Sequence, residues 1–229
     1  MQPAAPFHTA ADSHRRWPDR QAAGLQLAEQ LGRRAALPPE TLLLALPRGG
    51  VAVAAAMASR LGLPLATWSA RKLADPSQPE FAIGAIAPDG VVLWELPPGA
   101  PWPAAEQRQR LLSRQGEELR RRQRLFGDPD PAELRQRPLI LVDDGIATGL
   151  TARAALESLR RLQPASLTLA VPVADRRVGD RLRPLVDRLE VLALVDGLQS
   201  VGQFYESFEQ LEDHTVLRLL GRLLRHDSP

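Results

Sequence analysis

The 229-residue chain predicts an α/β fold in which a parallel sheet is covered by helices, and three observations carry that expectation. Short apolar runs alternate with segments of helical period, the order expected of βαβ units. The runs are bounded by Pro, Gly and Asp turn residues, so each reads as a buried strand. One run, within "LILVDDGIATGLTARAAL" at 139–156, ends in two adjacent acids just ahead of a helix start. That is the kind of strand end where open α/β sheets hold ligands.

The elements follow in order. Residues 1–17 read as a lead-in. "RQAAGLQLAEQLGRRAA" (20–36) sets Leu25, Ala28, Leu31 and Ala35 at helical spacing. "TLLLAL" (41–46) is a buried strand, followed by "PRGG" and a helix, "VAVAAAMASRLG", that stops at Gly62. "LPLATWSARKL" (63–73) reads as a second strand. "PEFAIGAIAPDGVVLWEL" (79–96) gives two β-like runs about a Pro-Asp-Gly turn, a hairpin. "PPGAPWP" breaks the chain, and 104–127 is one long polar helix stopped by Gly127. "PLILVDD" (138–144) resumes the sheet, and a helix follows at 150–162. "SLTLAVPVA" (166–174) and "RLEVLALV" (188–195) are two further strands, and "EDHTVLRLLGRLLR" (212–225) is an amphipathic terminal helix. The expected organisation is a single domain over 18–229 with an insertion at 76–137, the hairpin and the polar helix, as a hood or lid.

Composition narrows the function classes. The chain is 44% hydrophobic and 24% charged, the balance of a globular domain. No run approaches the roughly 18 to 20 apolar residues of a membrane helix, and the N-terminus lacks the basic-then-apolar order of a signal peptide. Without cysteine, disulfide and thiolate chemistry are excluded. A cytoplasmic setting is the expectation. A net charge of +2 is too small to argue for nucleic acid. The arginines at 108–124 alternate with Glu106, Glu117 and Glu118, which favours a solvated helix face over a nucleic-acid surface. The histidines are scattered without metal-ligand spacing, so no protein-held metal site is expected.

The chemistry concentrates between residues 143 and 151. Asp143 and Asp144 sit at a strand end, and Gly145, Ala147 and Gly149 leave the backbone accessible. Thr148 and Thr151 add hydroxyls. N–H groups at a helix start suit a phosphate; the paired acids suit vicinal hydroxyls or a cation. A sugar phosphate satisfies both halves. The competing reading is a turn whose Asp and Thr only cap the helix. An apolar run ending in Asp-Asp also resembles a Walker B strand, but no GxxxxGK[ST] loop exists, and the G-x-G-x-x-G fingerprint is absent after a strand. A second constellation surrounds Lys72, the only lysine in a chain that otherwise uses arginine. A compact ammonium is not interchangeable with a guanidinium fork.

"LILVDDGIATGLT" resembles the 5-phosphoribosyl 1-pyrophosphate (PRPP) binding motif of type I phosphoribosyltransferases. "ALPRGGVAVA" resembles the pyrophosphate loop of that fold, and "SARKL" matches the basic position after its second strand. With "PEFAIGA", the pattern is closest to bacterial phosphoribosyltransferase-domain proteins of unassigned substrate. The resemblance spans about 41–195 and implies a Rossmann-like parallel sheet and phosphoribosyl transfer from PRPP–Mg²⁺ to a nitrogen nucleophile of a nucleobase or other small acceptor, in nucleotide metabolism. It further implies that Asp143 and Asp144 bind the ribose hydroxyls. Ala147, Thr148, Gly149, Leu150 and Thr151 would hold the 5′-phosphate. Arg48, Gly49, Gly50, Arg71 and Lys72 would face pyrophosphate, with Lys72 and Arg48 acting on the leaving group. Mg²⁺ would arrive with PRPP. Relatives are commonly homodimers.

The loop departs from purine-salvage members at Ala147, where several carry an acid credited with proton handling. Glu80 is a substitute acid or a solvated carboxylate. Phe204 and Tyr205, with Phe208, are candidates to stack on the acceptor, or are local core; Trp94 and Trp102 carry the same pair of readings. Two other functions stay open: a PRPP- or nucleotide-sensing regulator on the same fold that binds RNA through the arginine helix, and a sugar-phosphate hydrolase.

Overall fold

The computed structural model describes residues 16–34, 37–75, 78–96 and 101–224. Five strands form the central sheet: β1 (Leu42–Ala45), β2 (Leu65–Thr67), β6 (Pro138–Val142), β7 (Ser166–Asp175) and β8 (Arg188–Val195). Every neighbour pair is parallel and the order is β2-β1-β6-β7-β8. The helices are α1 (Arg20–Arg34), α2 (Gly49–Leu61), α3 (Ala105–Phe126), α4 (Leu150–Arg161), α5 (Arg176–Leu182) and α6 (Asp213–Leu224).

Strand residues divide between the two faces with period two. Leu42, Leu44, Leu139, Leu141, Leu167 and Leu169 pack with α4 in one core. Leu43, Ala45, Ile140, Val142 and Ala170 pack with Leu27, Leu31 and Met57 of α1 and α2 in the other. Each buried leucine contributes roughly 1.5–3 kcal/mol of transfer free energy. Strands buried on both faces need no polar alternation, and for that reason they read as continuous apolar runs in the sequence.

The expected strand at 63–73 is two strands in two sheets. β3 (Arg71–Asp75) pairs antiparallel with β4 (Gln78–Ala87), and β4 with β5 (Val91–Trp94). The break is fixed from a distance. Asp128, just past α3, accepts hydrogen bonds from the Thr67 hydroxyl at 2.6 Å and the Ser69 amide at 2.7 Å. Burial pushes the Asp128 carboxyl above the usual carboxylate range, and these donors oppose that shift. The second sheet packs on α4 through Ala85, Ala87 and Val91 and on α3 through Leu73, Ile86 and Leu119. The hairpin and polar helix of the expected insertion are thus present, and β3 joins them.

Helix α1 is phased differently from the expected apolar stripe. Ala23, Leu27, Ala28 and Leu31 are buried, whereas Leu25 is 38% exposed; Ala35 lies outside the described residues. Among the described residues no helix is long and apolar enough to cross a membrane.

The chain leaves β1 toward β2 on one side and β6 toward β7 and β8 on the other. The crevice at the strand ends therefore opens between β1 and β6, the topological switch point. Ala45 is in register with Val142, and the Leu46 amide donates to the Val142 carbonyl at 2.9 Å. This pairing delivers Arg48 and Asp143 to the same edge of the sheet.

Candidate functional site

The turn after β1 lies directly against the acids after β6. A Cβ at Gly49 would collide with the Asp144 carboxylate. One at Gly50 would stand 2.7 Å from the Val142 carbonyl oxygen and 3.0 Å from the Asp143 Cα. The two glycines are required by this approach, because any side chain would hold the loops apart. The Pro47–Arg48 peptide is cis.

Two helix N-termini converge on the acids. Neither α2 at Arg48 nor α4 at Gly149 has a side-chain cap. Gly149 is left-handed, with φ +77°. The next unit of the sheet makes the contrast: α5 is capped by Asp175, which accepts from the Arg177 and Val178 amides. With similar topology, one helix start is closed by its own carboxylate and its neighbour has no side-chain cap. The loop is pinned through Ile146, whose amide donates to the Val173 carbonyl and whose carbonyl accepts from the Asp175 amide, each at 2.9 Å. Thr148 is exposed, Thr151 and Ala147 are half-buried, and Leu150 is buried and offers only its backbone.

Asp143 and Asp144 are not equivalent. The Asp144 amide donates to Asp143 Oδ1 at 2.9 Å. Burial pushes the Asp143 carboxyl well above the usual range, and the neighbouring Asp144 charge adds to it. Burial raises Asp144 as well, but Arg20 opposes the shift. Arg20 Nε donates to Asp144 Oδ2 at 2.8 Å, Arg20 Nη1 donates to the Glu209 carbonyl at 2.9 Å, and the guanidinium lies 3.8 Å from the Phe208 ring centroid. The Tyr205 hydroxyl donates to the Asp144 carbonyl at 2.6 Å.

Arg20 was invisible to motif reading, because the contact spans 124 residues. The pair is nearly dry, with side-chain exposures of 10% and 15%. Arg20→Met should therefore destabilise the fold by about 3 kcal/mol at neutral pH, since a charge left unpaired in the interior is costly. Without Arg20 the Asp144 carboxyl rises further, and only its ionised form suffers. The deficit should shrink as pH falls and the acid protonates. Chemical denaturation across pH checks this; a deficit independent of pH would contradict it.

The other expected residues lie as follows. Arg71 and Lys72 start β3 and point to opposite faces. Arg71 donates to the Gln115 side chain of α3 from Nε at 3.1 Å and Nη2 at 3.0 Å, while Lys72 is exposed. Arg48 meets Asp213 of α6 at 3.6 Å and Glu212 at 4.0 Å. Glu80 is on β4, but its side chain is outside the described residues. Phe204 and Tyr205 are 7% and 5% exposed and pack with Trp17 and Val173 in a core cluster. Tyr205 stacks on Phe208 at 5.0 Å and tilts against Trp17 at 5.7 Å, so its ring is occupied by internal partners. Trp102 is 60% exposed, with the Arg108 guanidinium 5.7 Å from its ring centroid.

Among the described residues no three His, Cys, Asp or Glu side chains cluster to cage a metal. The two carboxylates at 143 and 144 are hard oxygen donors, and they fit the one or two protein ligands that a phosphate-bound Mg²⁺ takes.

Known proteins are similar to this chain in sequence and fold. The model of the phosphoribosyl transferase domain matches residues 16–191. A Mycobacterium tuberculosis protein whose provisional name is phosphoribosyl transferase is 37% identical over 215 residues, 90% of this chain and 47% of its own length. The chain thus spans about half the length of the curated relatives it matches. The crystal structure of TT1426 from Thermus thermophilus superimposes with a TM-score of 0.70 at 34% identity, covering 91% of this chain and 99% of that one. The AQ2163 protein of Aquifex aeolicus, at 12% identity and TM-score 0.51 over 80% of this chain and 78% of that one, shares the fold. With the motif loops meeting at the switch point and the domain model covering most of its length, the chain belongs to the phosphoribosyl transferase domain family.

Proposed function

We propose that this domain transfers the phosphoribosyl group of PRPP–Mg²⁺ to a nitrogen nucleophile of a nucleobase or other small acceptor, releasing pyrophosphate. The observation that carries the reading is the packing of the Gly49–Gly50 turn onto Asp143 and Asp144, between two helix starts without side-chain caps. Such a site offers acceptors for a diol flanked by donors for two anionic groups.

Asp143 and Asp144 accept hydrogen bonds from the ribose hydroxyls, with Arg20 holding the Asp144 carboxylate in place. The amides of 147–151 and the Thr148 and Thr151 hydroxyls take the 5′-phosphate. The Gly49–Gly50 backbone, Arg48, Arg71 and Lys72 take the pyrophosphoryl group. As the bond from C1 to the pyrophosphate oxygen breaks, the new bond to the acceptor nitrogen forms, and these cations hold the charge that develops on the leaving group. Bound Mg²⁺ would neutralise part of that same charge. The acceptor nitrogen gives up its proton, and Glu80 is the candidate on this chain to receive it. Positioning supplies the rest of the rate enhancement.

An acceptor screen tests the reading. With PRPP–Mg²⁺ present, pyrophosphate release should require an added acceptor from a panel of nucleobases and small amines. Release with water alone would make the protein a hydrolase. Binding of PRPP with no release across the panel would make it a sensor.

A further inference from the structure

The arginine run of α3 does not form a purely solvated face. Arg110 pairs with Glu106 at 3.1 Å in the open, both about four-fifths exposed. Arg121 and Arg122 instead join a charged cluster, in which Arg121 also reaches Asp213, the residue that meets Arg48. Both pair with Glu118, at 2.7 and 2.9 Å, and Arg122 is 13% exposed. Arg71 bonds the Gln115 side chain, one turn ahead of Glu118 on α3; burial first, then Arg122, Arg48 and Arg121, weaken its hold on a proton, and Glu118 opposes them. Four guanidiniums, from the turn after β1, from β3 and from α3, therefore share one junction.

Among the described residues, few carboxylates answer these cations. Glu118 and Asp213 face the four cations, with Glu212 at the rim, 68% exposed and 4.0 Å from Arg48. Asp213 bridges the junction, with Oδ2 accepting from Arg121 Nη2 at 3.1 Å and Oδ1 3.6 Å from Arg48 Nη1. A separation of 3.6 Å is an ion pair but no hydrogen bond. Asp213 Oδ1 is buried and has no hydrogen-bond partner. A carboxylate oxygen held in this way satisfies Arg48 poorly, while its own lone pairs go unused.

We propose that Arg48, Arg71, Arg121 and Arg122 form one polyanion site for the pyrophosphoryl group, and that Asp213 fills it as an internal anion which the ligand displaces. The first turn of α6 then moves off Arg48 when the donor binds. Arg121 and Arg122 become ligand-binding residues contributed by the inserted helix. This inference rests on the donor reading above and deepens it.

Calorimetry with Mg²⁺–pyrophosphate and with PRPP–Mg²⁺ tests it. Asp213→Asn keeps a residue suited to a helix start and should bind both ligands about three- to tenfold more tightly, because the competing charge is gone. Arg121→Gln should weaken both by about fivefold. In the wild-type protein, saturating pyrophosphate should speed hydrogen exchange at the Thr215 and Val216 amides, which donate to the Glu212 carbonyl across the first turn of α6. If Asp213→Asn binds PRPP no better than wild type, or the Thr215 and Val216 amides stay protected, the internal-anion inference falls while the donor reading stands. If neither protein binds PRPP or pyrophosphate, both fall.

Discussion

Asp143→Asn is expected to leave the ligand-free protein more stable while its affinity for PRPP–Mg²⁺ drops by about 10- to 100-fold, the cost of losing a charge-assisted hydrogen bond to the sugar. The stability gain comes from burial. Asp143 is crowded by the sheet edge and by Asp144, and both raise its carboxyl above the unfolded value. A group raised in this way contributes fully below the unfolded pKa, and its contribution is lost as pH rises through the folded pKa. At neutral pH the wild-type protein carries that loss and the asparagine variant does not. The gain should be on the order of 1 kcal/mol, or about 2–4 °C in Tm for a chain of this size. It should vanish below the ordinary aspartate value of 3.8. Thermal scans at several pH values check the sign. A variant less stable than wild type at neutral pH would show that the paired acids hold the loop together rather than strain it.

Gly50→Val should be the most damaging single change in the site. The added Cβ meets the Val142 carbonyl and the Asp143 Cα, both backbone, so no side-chain rotation relieves the clash. Overpacking against backbone costs about 3 kcal/mol or more. The relief open to the chain is to part the ends of β1 and β6. Denaturation midpoint and PRPP affinity should therefore fall together. Gly116→Ala provides the comparison within a helix: its Cβ would meet only the end of Arg120 at 3.5 Å, and the gain in helix propensity should stabilise by about 0.5–1 kcal/mol. If Gly50→Val matched Gly116→Ala, the two loops would not be in the contact described.

The parts of this fold that could be read in advance are those encoded over short stretches. β1, β6, β7 and β8 are apolar because both faces are covered, and α2 and α4 follow two of them at once. The loops at 47–50 and 143–151 were readable as glycine-containing turns at strand ends, because each is a run of consecutive residues. Contacts between distant segments were not readable. The division of 63–73 into β2 and β3 depends on Asp128, whose bonds reach 61 residues to Thr67 and 59 to Ser69. The phase of α1 is set by α2 and the sheet, which turns Leu25 outward and Ala23 inward. Arg20 and Asp213 look like ordinary surface charges in the sequence, and each gains its meaning from a partner more than 90 residues away, Asp144 for the first and Arg121 for the second. The aromatic segment shows the same limit. Phe204 and Tyr205 have the composition of a stacking platform, yet Trp17, from the far end of the chain, helps close them into a core.

We propose that the crevice between β1 and β6 is built for PRPP. Titration of PRPP–Mg²⁺ into the wild-type protein and the Asp143→Asn variant tests it most directly. Saturable one-to-one binding in the wild type, weakened or lost in a variant that remains folded, is the result predicted. Equal affinity in the two proteins, or no binding to either, would contradict it.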